Sequence, residues 1–271
     1  MKNKYILFYL LLFLLFTANT IGNNYEENLK KIEMKAKNGD SYSQYVMGIV
    51  HQNGLGYEKN LTKAFEYFSK SEKGYSLARY PLAEMYYWGE GIEQNYTKAS
   101  DLYVRIFVGE DINSIIKSKI AHMYLFGEGV DKNLTKAVEL YQESADENYV
   151  PALYNLGIIY YNGIGVDKNL TKARVCLQRA SNNNHFQAQY YLAELLDKKD
   201  TNKYKKEVLK LLTKSAIGKF DKAQLILGNG YIRGDDVEKD MKKAKYWIQK
   251  AKDQNNTKAQ ELWKKYELWK Y

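Results

Sequence analysis

Ala152-Leu153-Tyr154-Asn155-Leu156-Gly157-Ile158-Ile159-Tyr160-Tyr161-Asn162-Gly163-Ile164-Gly165-Val166-Asp167-Lys168-Asn169-Leu170-Thr171-Lys172-Ala173 reads as two helices and the turn between them. Counted from Gly163, the residues Ala152, Leu156, Gly157 and Tyr160 fall at −11, −7, −6 and −3. Steps of four, one and three place them on one helical face. Gly163 and Gly165 follow, and glycine enters the left-handed conformation that ends a helix without strain. Six residues after Gly163 comes Asn169, a preferred N-cap residue. A second helix then opens through Lys172-Ala173.

The same phrase recurs in both directions. Gly54-Leu55-Gly56, Gly89-Glu90-Gly91, Gly127-Glu128-Gly129 and Gly163-Ile164-Gly165 start 35, 38 and 36 residues apart. Gly234 opens a degenerate copy 71 residues after Gly163, which is two periods. Between them, near Lys199, lies a repeat whose turn has no glycine. The −6 column reads Gly48, Ala83, Ala121, Gly157, Ala193 and Gly228, so a neighbouring helix is expected to come close there. The +6 column reads Asn60, Asn95, Asn133, Asn169 and Asp240, five N-caps in register. A period in this range signals a stacked repeat architecture. Residues 25–38 read as a lone second helix and 258–271 as a lone first helix, terminal half-repeats that would close the array.

The pattern A-x-x-x-L-G-x-x-Y-x-x-G-x-G-V-x-x-[ND]-x-x-K-A, met almost letter for letter from Ala152 to Ala173, resembles the Sel-one-like repeat, a relative of the tetratricopeptide repeat. The resemblance covers roughly residues 40–271 and departs around Gly109 to Lys117 and in the fifth repeat. It implies an all-α, right-handed α-α superhelix (solenoid) of about six helix-turn-helix repeats with half-repeat caps. It also implies an adaptor that holds another protein on a concave surface. The organisation expected is a signal peptide over 1–22, a capping helix over 23–42, repeats over 43–258 and a capping helix over 259–271.

Composition agrees with an ordered chain: of 271 residues 45% are hydrophobic, 27% are charged and two are proline. Lys2 and Lys4 precede an unbroken apolar run from Ile6 to Phe16, too short to span a bilayer, with small residues after it. That is the build of a signal peptide cleaved after Gly22, and it places the protein outside the cytoplasm, secreted or periplasmic. A eukaryotic secretory route is the open alternative. After cleavage no integral membrane span is expected. The net charge of +9 lies entirely in residues 197–271, which hold 20 Lys/Arg against 11 Asp/Glu. It reads either as solvated helix faces or as a patch for an anionic partner. Export argues against nucleic acid as that partner.

Candidate binding residues come from a tyrosine column. Tyr45, Tyr80, Tyr154 and Tyr190 share the −9 position, and Tyr87 and Tyr161 stand two helical turns further on at −2. Tyrosine combines a large apolar ring with a polar tip and suits interfaces, although packing between successive repeats is the competing reading. The sequons at Asn60, Asn95, Asn133 and Asn169 coincide with the cap column, and Asn255 opens a fifth. Ser114-Ile115-Ile116-Lys117 fits S-x-x-K, without the companion elements of penicillin-interacting enzymes. His51, His122 and His185 lie in different repeats and lack metal-ligand spacing. Cys176, the only cysteine, falls in an apolar column with Tyr67, Leu102, Leu140 and Trp247 and is expected to be buried. A non-enzymatic scaffold without cofactor or metal is therefore expected, with an envelope hydrolase of β-lactamase type or a basic surface-binding module as alternatives.

Overall fold

A computed structural model describes residues 22–108, 113–199, 201–234 and 237–271, with the side chains of 22–24, 199, 201 and 202 left aside. The apolar run near the N-terminus, part of the insertion at 109–117 and the residues Asp235 and Asp236 lie outside these residues. Among the described residues there are fourteen α-helices and no strand. They form two compact units. The first holds α1 (Gly22–Lys37), α2 (Ser41–Asn53), α3 (Leu61–Ser71), α4 (Arg79–Trp88), α5 (Tyr96–Phe107) and the turn 126–132. The second holds, apart from the last residue of its first helix, α6 (Ser114–Phe126), α7 (Leu134–Asp146), α8 (Val150–Asn162), α9 (Leu170–Asn182), α10 (Phe186–Lys199), α11 (Thr201–Ile217), α12 (Asp221–Arg233), α13 (Met241–Lys252) and α14 (Thr257–Lys265).

Each glycine turn is built alike. The first helix ends where Gly54, Gly89, Gly163 and Gly234 turn left-handed, with φ of 72°, 70°, 75° and 77°. The Gly89 and Gly163 N–H groups donate to Met85 and Ile159, closing the helix. Gly127, in the third turn, has φ of 78°. The second glycine, at Gly56, Gly91, Gly129 and Gly165, is also left-handed. At Gly91 it does more: a Cβ there would lie 2.6 Å from the main-chain carbon of Leu61, so only glycine lets this turn settle on α3. The cap residue closes the turn twice. Its N–H donates to the −3 carbonyl, as from Asn95 to Tyr86 (2.8 Å) and from Asn169 to Tyr160 (2.9 Å). Its side chain accepts from the third residue of the new helix: Asn60 from Lys63, Asn95 from Lys98, Asn133 from Lys136, Asn169 from Lys172 and Asp240 from Lys243. Asn133→Ala is expected to cost about 1 kcal/mol, read as a lower urea midpoint at constant slope.

A second turn, from second helix to next first helix, uses another left-handed residue. Gly39, Asn148, Asn184, Lys219 and Asn255 occupy it in register. Asparagine tolerates this region, whereas lysine is strained there at φ 65°. Lys219→Gly is expected to stabilise the fold by about 1 kcal/mol, and a urea midpoint that does not rise would refute the strain.

Small residues let the paired helices close up. A Cβ on Gly48, Gly157 or Gly228 would approach Phe68, Leu177 or Ile248 to 2.5, 2.8 or 2.6 Å. Ala83, Ala121 and Ala193 are buried in the same column. Serines tie the second helix to the start of the first: Ser71 Oγ donates to the Ser41 carbonyl (2.7 Å), Ser144 to Ser114 (2.6 Å) and Ser215 to Phe186 (2.7 Å). Buried glutamines reach back to the preceding second helix or cap, Gln44 to Ala36 O (3.1 Å) and Gln224 to Ala216 O (3.0 Å). The fifth pair, α10 and α11, has a single residue between its helices in place of a glycine turn.

The C-terminus differs from the sequence expectation of one helix over 258–271. The helix stops at Lys265, Glu267 turns left-handed (φ 47°), and Leu268–Lys270 forms a 3-10 turn. The break carries Leu268 into the core with Ile248, Ala251 and Ala259, leaving Trp269 half exposed at 50%. Burying a leucine is worth about 2 kcal/mol, enough to offset the lost helical turn.

Candidate protein-binding face

In the second unit the first helices bring a set of tyrosines together. Tyr154 and Tyr161 lie on α8, and Tyr190 with Tyr191 on α10; all four are half-buried. Tyr191 sits 5.7 Å from Tyr161, 6.3 Å from Tyr154 and 5.2 Å from Tyr190 between ring centroids. At one end of the row Tyr154 stacks on His185 (4.4 Å), and at the other Tyr190 meets Phe220 edge-on (5.1 Å). An ion pair borders it. Lys198 Nζ lies 2.6 Å from Glu194 Oε1, and the Tyr161 hydroxyl donates to the same oxygen at 2.7 Å while accepting from Lys198 at 2.9 Å.

These contacts set the protonation states. Burial alone would raise the Glu194 carboxyl, but Lys198 and the Tyr161 hydroxyl together hold it below its usual range. Burial pushes Tyr154 up to about 12 and raises Tyr161 and Tyr190 as well. Tyr154, Tyr161 and Tyr190 are therefore neutral phenols beside a fixed ion pair at physiological pH, fit for ring packing and hydrogen bonding rather than acid-base work.

The first unit arranges its tyrosines differently. Tyr45 packs on Phe68 (5.9 Å) and Tyr75 (5.1 Å), and Tyr80 meets Tyr103 edge-on at 6.4 Å. Tyr87 is buried, 6% exposed, and its hydroxyl donates to Glu128 at 2.7 Å. So Tyr154, Tyr161 and Tyr190 share one row, Tyr45 and Tyr80 meet Phe68, Tyr75 and Tyr103 instead, and Tyr87 presents little ring to solvent. The −9 ring leans on the residue that opens the next first helix: Tyr75, His185 or Phe220. Tyr191 is absent from the sequence reading because its column carries Val46, Pro81, Lys119, Asn155 and Ile226 elsewhere, and no periodicity marks it.

A second ring-and-cation feature recurs beside the turns. Lys98, Lys136, Lys172 and Lys243, three residues into their helices, stand 5.2, 4.7, 5.2 and 5.4 Å from the rings of Tyr86, Tyr124, Tyr160 and Tyr231. Such contacts add about 0.5–1 kcal/mol at exposed sites. In the first repeat His51 replaces the tyrosine and stacks on Tyr67 at 5.6 Å. Burial, then the charge of Lys63, lowers its pKa and keeps the imidazole neutral.

The remaining reactive residues are held in packing. Lys117 lies 2.8 Å from Glu147 and 3.1 Å from Glu143, and these carboxylates raise its pKa against burial. An ammonium fixed in this way is a poor general base for Ser114. Cys176 is buried, and desolvation raises its thiol. Among the described residues no three His, Cys, Asp or Glu side chains are grouped to hold a metal, and no helix is long and apolar enough to cross a membrane.

The fold is thus an all-α array of helix pairs with a tyrosine row on its first helices. The Sel1 repeat family model matches residues 41–73, 76–104, 118–149, 150–185 and 221–256, and the chain belongs to that family. The unmatched interval contains the pair α10–α11, whose turn lacks glycine. Among solved structures, a protective antigen of uropathogenic Escherichia coli displaying an SLR fold is similar at 25% identity and TM-score 0.61, covering 86% of this chain. The chain spans 58% of that protein's length. A Sel1 repeat protein from Oxalobacter formigenes is similar at 25% identity and TM-score 0.69, over 79% of this chain and 85% of the other. No curated protein matches the chain.

Proposed function

We propose that this protein is an exported, non-catalytic repeat scaffold that binds another protein through its first-helix face. The observation that carries the reading is the row Tyr154, Tyr161, Tyr191 and Tyr190, in which half-exposed rings cross from one repeat to the next beside Glu194 and Lys198. Rings of this kind supply contact area at low entropy cost, and a neighbouring ion pair supplies register. Membership of a repeat family whose members serve as scaffolds points the same way. Export rests on the basic, apolar and small-residue succession over residues 1–22.

A photo-reactive phenylalanine analogue at position 191, with one at Arg174 on the second helix α9 as comparison, tests the binding face in the native host. A defined protein cross-linked from position 191 and absent from 174 supports the scaffold reading. Equal capture from both positions, or none from 191, overturns it. N-terminal sequencing of the same material tests export: a chain starting at Asn23 is expected, and a cytoplasmic chain retaining Met1 refutes it.

A further inference from the structure

Part of the basic surplus of the C-terminal third is gathered along a groove. This groove, of about 530 Å³, runs between the second helices α9 and α11, with Lys206, Lys210 and Lys214 along one wall and Gln178 and Asn182 along the other. The three lysines are four residues apart, so they line one face of α11 about 6 Å from one to the next. Leu211, 7% exposed, belongs to the same lining. Glu207 is the one carboxylate among the lining residues.

Two cations between helices elsewhere in this unit are answered. Arg179 bonds the Ala145 carbonyl (2.8 Å) and Asn148 (2.7 Å), and Lys117 is held by two glutamates. Lys214 occupies in its repeat the position of Arg179, yet neither it nor Lys206 nor Lys210 forms an ion pair among the described residues. The Gln178 amide donates to Asn182 Oδ1 at 3.0 Å, leaving an oxygen on Gln178 and a nitrogen on Asn182 for a peptide main chain.

We propose that this groove binds an extended acidic peptide segment with carboxylates at alternate positions. In an extended chain, side chains of one face recur about every 6.7 Å, close to the lysine step on α11. Three alternate Asp or Glu side chains therefore meet three lysines in turn, while the amides of Gln178 and Asn182 take the main chain. No aromatic ring lines the groove, which separates it from the stacking platforms of single-stranded nucleic acid. Its concave form suits a strand better than a flat lipid surface. The groove is a second surface, on second helices, and stands independently of the tyrosine row.

The test is fluorescence anisotropy of purified protein with a labelled Glu-Ser alternating peptide, beside a block peptide of the same composition and vesicles containing phosphatidylserine. The alternating peptide is expected to bind more tightly than the block peptide. Lys206→Gln, Lys210→Gln and Lys214→Gln together are expected to weaken it about tenfold, from three exposed pairs of modest strength each. Lys222→Gln, Lys242→Gln and Lys258→Gln together should leave it unchanged. Lysine and glutamine have similar helix propensity, and circular dichroism checks that both triple variants fold. Equal affinity for the two peptides, equal loss in both variants, or no peptide binding overturns the proposal. Vesicle binding lost in the groove variant without peptide binding assigns the groove to anionic lipid and also overturns it. Cross-linking from position 191 is unaffected by any of these outcomes, so failure here leaves the scaffold reading to its own test.

Discussion

Gly91→Ala is expected to lower the unfolding free energy by about 3 kcal/mol, whereas Gly39→Ala costs only about 1 kcal/mol. Both glycines have positive φ, 76° and 92°. Both substitutions therefore place a Cβ in the left-handed region, where an L-residue loses roughly 1–2 kcal/mol. The surroundings differ. At Gly39 an added Cβ meets nothing within 4 Å, while at Gly91 it lies 2.6 Å from the main-chain carbon of Leu61 and 2.7 Å from its oxygen. Those are backbone atoms of the first residue of α3, and they cannot swing away as a side-chain tip can. Relief requires the turn to lift off α3, breaking the bond from Thr62 Oγ1 to the Gly91 carbonyl. Urea unfolding followed by circular dichroism and by tyrosine fluorescence measures both variants. Two probes are needed because repeat arrays can lose cooperativity when one interface weakens. Equal losses for the two variants would mean that the close approach carries no cost.

Much of the architecture could be read from spacing because a repeat prints each structural demand several times. The −6 column is small because Phe68, Leu177 and Ile248 fill the space opposite it. The +6 column is Asn or Asp because a side-chain oxygen must accept from the third helical N–H. What escaped the reading lacked such repetition or depended on contacts at a distance. The left-handed column of Gly39, Asn148, Asn184, Lys219 and Asn255 mixes residue types, and lysine there disguises it. The break at Glu267 follows from the pull of Leu268 into the core, which helical periodicity cannot register. For the candidate site, the −9 and −2 tyrosines were visible. Their gathering into a shared row in one unit, and the burial of Tyr87 in the other, were not. That division is set by single neighbours: Tyr191 joins the row, and Glu128 draws the Tyr87 hydroxyl inward. The lysine step on α11 was legible as charge, but its emptiness needed the course of α9.

Phe68→Ala is expected to cost about 3–5 kcal/mol, and it should reverse the effect of a second substitution twenty residues away. Phe68 is fully buried, and its ring lies against the helix surface at Gly48. In the native background Gly48→Ala puts a methyl 2.5, 2.6 and 2.9 Å from three atoms of that ring. The ring is also packed on Tyr45 at 5.9 Å, so it has little room to retreat, and the overlap should cost about 1–3 kcal/mol. With Phe68 truncated all three clashing atoms are gone. The methyl then partly fills the vacated space, and alanine regains the roughly 1 kcal/mol by which it exceeds glycine inside a helix. Gly48→Ala should therefore destabilise the native protein and stabilise the Phe68→Ala variant, with a coupling of about 2 kcal/mol or more between neighbouring sites. A double-mutant cycle by urea unfolding reads this directly. Additive losses would mean that α2 and α3 adjust freely to one another, and the smallness of the −6 column would then need a cause other than close helix contact.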